Sequence, residues 1–165
     1  MKNVMQNTNM QFHIIFSKRS IVGEFELHDD SSLTYAVDNG GFSILLGGKW
    51  ALCLIADYQT GKVEGFETIV DDLSIIISDL SIPKRVEGAL MFSSDEELNR
   101  GSGCHYIPFE NKIYYDEKMK IMCIGDKNAK GQAVEFAKNI IAVVDDVKLV
   151  SIYLDLNEID IEHIV

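Results

Sequence analysis

The chain has 165 residues, 47% of them apolar, which is enough for one hydrophobic core and short for two, so a single globular domain over residues 1–165 is expected. Its 26 acidic side chains against 15 basic ones give a formal charge of -11, which repels phosphate backbones and anionic lipid and so disfavours nucleic acid and membrane as partners. The same surplus favours a basic protein surface, or serves solubility alone.

The cysteines Cys53, Cys104 and Cys123 are odd in number, far apart and set in apolar or strand-like sequence, the pattern of reduced, buried thiols in a reducing compartment rather than of a disulfide framework. The opening MKNVMQNTNMQFHIIF has amides where a signal peptide carries its apolar run, and no stretch reaches membrane-spanning length, so a cytoplasmic location is expected.

In chain order, residues 11–17 and 21–27 read as short strands, followed by a turn-rich stretch ending in Asp38-Asn39-Gly40-Gly41, a strong turn signal. FSILL and WALCLIA follow on either side of Gly47-Gly48-Lys49. The near-continuous apolarity of the second predicts burial on both faces, with Trp50 anchoring the core. ADYQTGKVEGFETIV predicts a hairpin turning at Thr60-Gly61-Lys62. Residues 71–80 fit a strand or a short helix, the strand being favoured. Further strands are expected over 85–92, 104–109, 112–115 and 119–124, with Asn111 in a tight turn and Ser94-Asp95-Glu96-Glu97 opening at most one helical turn. Ala133, Phe136, Ala137, Ile140, Ile141 and Val144 recur at helical spacing, predicting a helix over 128–144 that ends near Asp145-Asp146, before a last strand over 148–154. The expected fold class is α+β, a mostly antiparallel β-sheet packed by one long C-terminal helix followed by a last strand.

Candidate chemistry is sparse. In GSGCHYIPF a thiol adjoins an imidazole, but successive strand residues point to opposite faces, so Cys104 and His105 cannot share a proton in an extended chain. The four histidines lack HExxH spacing and the cysteines lack CxxC, so no zinc site is recognisable, and His28-Asp29-Asp30 reads as a solvated turn. Asp71-Asp72 and Asp145-Asp146 read as caps or surface charge rather than a catalytic pair. GDKNAKGQAVEF places five residues between Gly125 and Gly131 where a phosphate loop has four, and Gln132-Ala133 replaces its Lys and Ser/Thr. Lys127 and Lys130 are therefore expected in solvent. No cofactor, metal or catalytic set is expected.

Tyr114-Tyr115-Asp116 sets aromatics beside an acid, a composition suited to gripping a basic protein. The C-terminal DLNEIDIEHIV alternates acids with isoleucines and reads as an acidic edge strand or a tail that orders on binding. With GKVEGFETIV and IMCIGDKNAKGQAVEFAKNIIAVV, this small acidic profile resembles the immunity proteins of bacterial toxin–immunity pairs, those of contact-dependent growth inhibition being the nearest image. The resemblance implies an inhibitor, not an enzyme, that binds a cognate toxin, often a nuclease with a basic cleft, and blocks its active site or a functional surface. The expected partner-binding residues are Asp71, Asp72, Tyr115, Asp116, Asp155, Glu158, Asp160 and Glu162. The competing readings are a small enzyme with a dispersed Cys/His site using Cys104 or His28, and an assembly protein that pairs through a sheet edge.

Overall fold

The computed structural model describes residues 10–17, 24–28, 32–36, 41–47, 52–69, 75–94, 104–110 and 112–159. Among them fourteen strands form two six-stranded sheets and one ribbon, and no helix is present. The early sheet has the order β2 (Glu24–Leu27), β3 (Ser32–Ala36), β6 (Val63–Ile69), β5 (Leu52–Asp57), β4 (Gly41–Leu46), β9 (Cys104–Ile107). The late sheet has the order β12 (Gln132–Ala137), β13 (Ile140–Asp145), β14 (Lys148–Asp155), β11 (Ile121–Gly125), β10 (Ile113–Asp116), β7 (Ile75–Ile77). The ribbon pairs β1 (Gln11–Phe16) with β8 (Gly88–Ser93). Within the sheets pairing is antiparallel except at two edges, β4 with β9 and β10 with β7.

The α+β expectation is therefore corrected to all-β: the segment read as a helix over 128–144 is the β12–β13 hairpin. Two features of the sequence defeat the helical spacing. Val134, Ile140, Ile141, Val143 and Val144 are β-branched, stiff at χ1 and at home on a pleated surface. Lys138-Asn139 forms a two-residue loop in which Asn139 takes a φ of 67°, a left-handed conformation that interrupts any helix. A bulge between Glu135 and Ala137 puts Phe136 and Ala137 both in the interior, which produced the spurious helical spacing. Asp145-Asp146 likewise ends no helix; Asp146, with a φ of 57°, turns β13 into β14.

The hairpin expected around Thr60-Gly61-Lys62 joins β5 to β6. The Asp57 carboxylate accepts from the Gln59 and Thr60 N–H groups and the Thr60 hydroxyl, and Gly61 takes a φ of 74°. Gly61 also accepts the Phe92 N–H through its carbonyl, and a Cβ there would lie 2.2 Å from the Phe92 oxygen, so only glycine lets the ribbon dock here. At its other side the ribbon reaches the late sheet through Phe12 N–H to the Val147 carbonyl.

One core joins the three layers. A single inner row, Phe25, Tyr35, Phe66, Leu54, Ile44 and His105, crosses all six strands of the early sheet. The ribbon adds Phe12, Leu90 and Phe92, and the late sheet adds Val134, Phe136, Ile152 and Leu154 among others. WALCLIA departs from the expected two-sided burial: Leu52, Leu54 and Ala56 are buried, whereas Cys53 and Ile55 on the other face are half-buried. The strands buried on both faces are β11, β13 up to Val144, and β14 from Ser151 to Leu154. Trp50, Asn111 and residues 95–97 lie outside the described residues, as do the Gly101 and Gly103 that precede β9.

Candidate partner-binding surface

The acids expected at an interface have separate fates. Asp71, Asp72, Asp160 and Glu162 lie outside the described residues. Tyr115 is 5% exposed and packs in the core opposite Met122, so it grips nothing outside, and burial pushes its phenol up from the ordinary value. Asp116 is likewise 5% exposed; its carboxylate accepts from the N–H groups of Leu80, Met119 and Lys118, and these bonds hold it below the ordinary aspartate range. Asp155 bonds Arg85 and Asn157. Only Glu158 is fully at the surface, 3.3 Å from Lys138.

Asp116 and Asp155 share a structural task. Residues 78–87 leave β7 as an extended strap that crosses the outer face of the late sheet and ends on β12, where the Val86 carbonyl accepts the Glu135 N–H. The strap is fixed at its start by Ser78 N–H to the Tyr115 carbonyl, by the Lys127 ammonium on the Ser78 hydroxyl at 2.8 Å, and by Leu80 N–H on Asp116. Leu80 and Ile82 then cover Ile121, Cys123, Ile141, Val143 and Tyr153. At the far end Arg85 meets Asp155 and, at 3.3 Å, Glu135.

Electrostatics at that end are uneven. Burial raises Glu135 above the ordinary glutamate value although the Arg85 charge opposes it, and its buried Oε2 touches Arg85 without an aligned hydrogen bond. Burial also works to raise Asp155, but bonds from Asn157 and Arg85 outweigh it and hold the group low. Lys127, expected in solvent, is half-buried over the Tyr114 ring, 5.0 Å from its centroid.

The thiol–imidazole reading fails on His105. Its ring is 6% exposed and lies 5.5 Å from the Phe42 ring and 5.3 Å from Phe92, in the core rather than in a cleft. Cys123 is buried, and burial pushes its thiol up to about 11, which makes it a poor nucleophile at neutral pH. Among the described residues no three His, Cys, Asp or Glu side chains gather as a metal-holding group.

The early sheet presents a different outer face. Glu26, Thr34, Glu67, Cys53, Leu45 and Tyr106 are successive register partners, one from each strand. Glu26 and Glu67 are exposed, Thr34, Cys53 and Leu45 half-buried, and Tyr106 is 59% exposed. Two residues beyond Glu67, Ile69 is 45% exposed. At the acidic end the His28 ring lies 3.1 Å from the Thr34 hydroxyl and 3.9 Å from Glu26. Apart from Cys53, read only as a reduced thiol, none of these six positions was singled out in the sequence, although the EGFETI segment places Glu67 on the face opposite Phe66.

A cleft of about 470 Å³ opens where β9, β1 and the β13–β14 hairpin meet, floored by Phe12, Ile107, Phe109 and Leu149 and edged by Glu110, Asp126 and Lys148. Among the described residues no helix is long and apolar enough to cross a membrane. Compared with known proteins, the chain matches no family model, and no curated protein is significantly similar to it.

Proposed function

We propose that the protein is a non-catalytic inhibitor of the immunity type, which binds a basic, nuclease-type bacterial toxin and occludes its active site or a functional surface. One observation supports the reading: the surplus of acidic over basic side chains is unevenly placed between the two sheets. Among the described side chains of β2 to β6 and their turns, Glu26, Asp57, Glu64 and Glu67 are set against a single base, Lys62. Residues 75–94 and 110–159, by contrast, hold eleven acids and nine bases, and several of those acids are engaged by the strap and its neighbours. A nuclease presents cations to phosphate, and a concentrated negative field on an inhibitor speeds encounter with that surface and selects against other partners.

The test is co-expression with the product of the gene immediately upstream. The expected result is rescue of growth together with a co-purified complex that weakens as salt rises. Rescue without complex formation, or no rescue, contradicts the reading; the first result points to enzymatic detoxification instead.

A further inference from the structure

We propose that the outer face of the early sheet is the docking surface for this basic protein, taking a cationic side chain at its Glu26–Glu67 end and an apolar or aromatic one at its Leu45–Tyr106 end. The inference rests on the inhibitor reading above and adds to it the place and the chemistry of recognition.

The argument starts from register. The six outer positions lie on one cross-strand row, so their spacing is set by the strand separation of about 4.8 Å, placing Glu67 about 14 Å from Tyr106. Both ends are held by backbone ladders on a rigid sheet, so little ordering is needed on binding. Charge selects the occupant. The carboxylates of Glu26 and Glu67 are exposed, and no lysine or arginine stands in the row to neutralise them. Tyr106 offers an exposed aromatic body beside Leu45, the side-chain type that dominates binding energy at protein interfaces. A second copy of the chain is a poorer fit, since it brings the same surplus of carboxylates.

The probe is the tripeptide amide Arg-Trp-Arg, titrated into the full chain and followed by amide NMR. Shifts are expected to concentrate at Thr34, Glu67, Leu45 and Tyr106. Tyr106→Ala should weaken binding about tenfold and Glu67→Lys should remove it, whereas Glu158→Lys, on the late-sheet side, should leave it unchanged; unaltered amide dispersion elsewhere shows that each variant is folded. Shifts that follow every exposed acid alike, Glu117 and Glu158 included, overturn the inference, as does concentration-dependent self-association through Tyr106. The two readings fail separately. If the upstream gene product binds wild type and Glu67→Lys equally, the face is wrong and the inhibitor reading stands; if that product does not bind while the peptide maps to the row, the face stands and the inhibitor reading falls.

Discussion

The two six-stranded sheets carry comparable outer rows and treat them oppositely. Across the late sheet the row runs Ile76, Tyr114, Cys123, Tyr153, Ile141 and Glu135; across the early sheet it runs Glu26, Thr34, Glu67, Cys53, Leu45 and Tyr106. Each contains a thiol, tyrosine and aliphatic groups, and each has a carboxylate. On the late sheet a ten-residue strap covers the centre of the row, so Cys123, Tyr153 and Ile141 are at most 3% exposed. On the early sheet no described segment crosses the row, and its tyrosine and glutamates stand at the surface. Similar residues thus serve stability where they are covered and, in the docking proposed above, recognition where they are open.

The largest effects should come from the covered face. Ile141→Ala is expected to cost about 2–5 kcal/mol in urea unfolding because it leaves a cavity under the strap, whereas Tyr106→Ala on the open face should change stability by no more than about 0.5 kcal/mol. Equal costs would erase the distinction between the faces.

Next comes the latch. Arg85→Ala leaves Glu135 and Asp155 without their shared cation and should cost about 1–3 kcal/mol at neutral pH. The sign with pH follows from Glu135. Its folded value is already raised, and losing Arg85 raises it further, so the folded variant binds a proton more tightly than the unfolded chain and its deficit narrows as pH falls through that raised value. A deficit that stays constant between neutral pH and pH 5 would show that the latch is not electrostatic. In the parent protein Asp116, Asp57 and Asp155 act in the opposite sense. Their folded values are lowered, so they contribute stability above the ordinary aspartate range and lose it as pH falls through those lowered values.

A smaller effect is expected at the hairpin that replaced the helix. Asn139→Val forces a β-branched residue to a φ of 67° and should cost about 1–2 kcal/mol, while Asn139→Gly should be near neutral. The smallest belongs to the exposed Lys138–Glu158 pair, where Glu158→Gln should shift stability by less than about 0.5 kcal/mol.

Most strands of the first half were legible because polar turns bound short β-rich runs, as at Thr60-Gly61-Lys62, but β3 was missed because it lies within the stretch read as turn-rich before Asp38-Asn39-Gly40-Gly41. In the late half the strand readings over 112–115, 119–124 and 148–154 match β10, β11 and β14, but 128–144 was misread as a helix because β13 is buried on both faces. IIAVV then shows no alternation, and apolar residues on two faces of a strand imitate one face of a helix. The β-branched content and Lys138-Asn139 were the available counter-signals. Nothing local in SDLSIPKRVE announces a strap, since its partners Asp116, Glu135 and Asp155 are distant in sequence; for the same reason Asp116 and Asp155 looked like free surface acids. The open row was equally hidden, because six residues from six strands become neighbours only through register.

The most direct measurement is the affinity of the upstream gene product for the parent protein and for the Glu26→Lys/Glu67→Lys double variant at two salt concentrations. The account predicts at least a tenfold weaker complex for the variant, with most of the salt dependence gone. An affinity and salt dependence equal to those of the parent protein would contradict it.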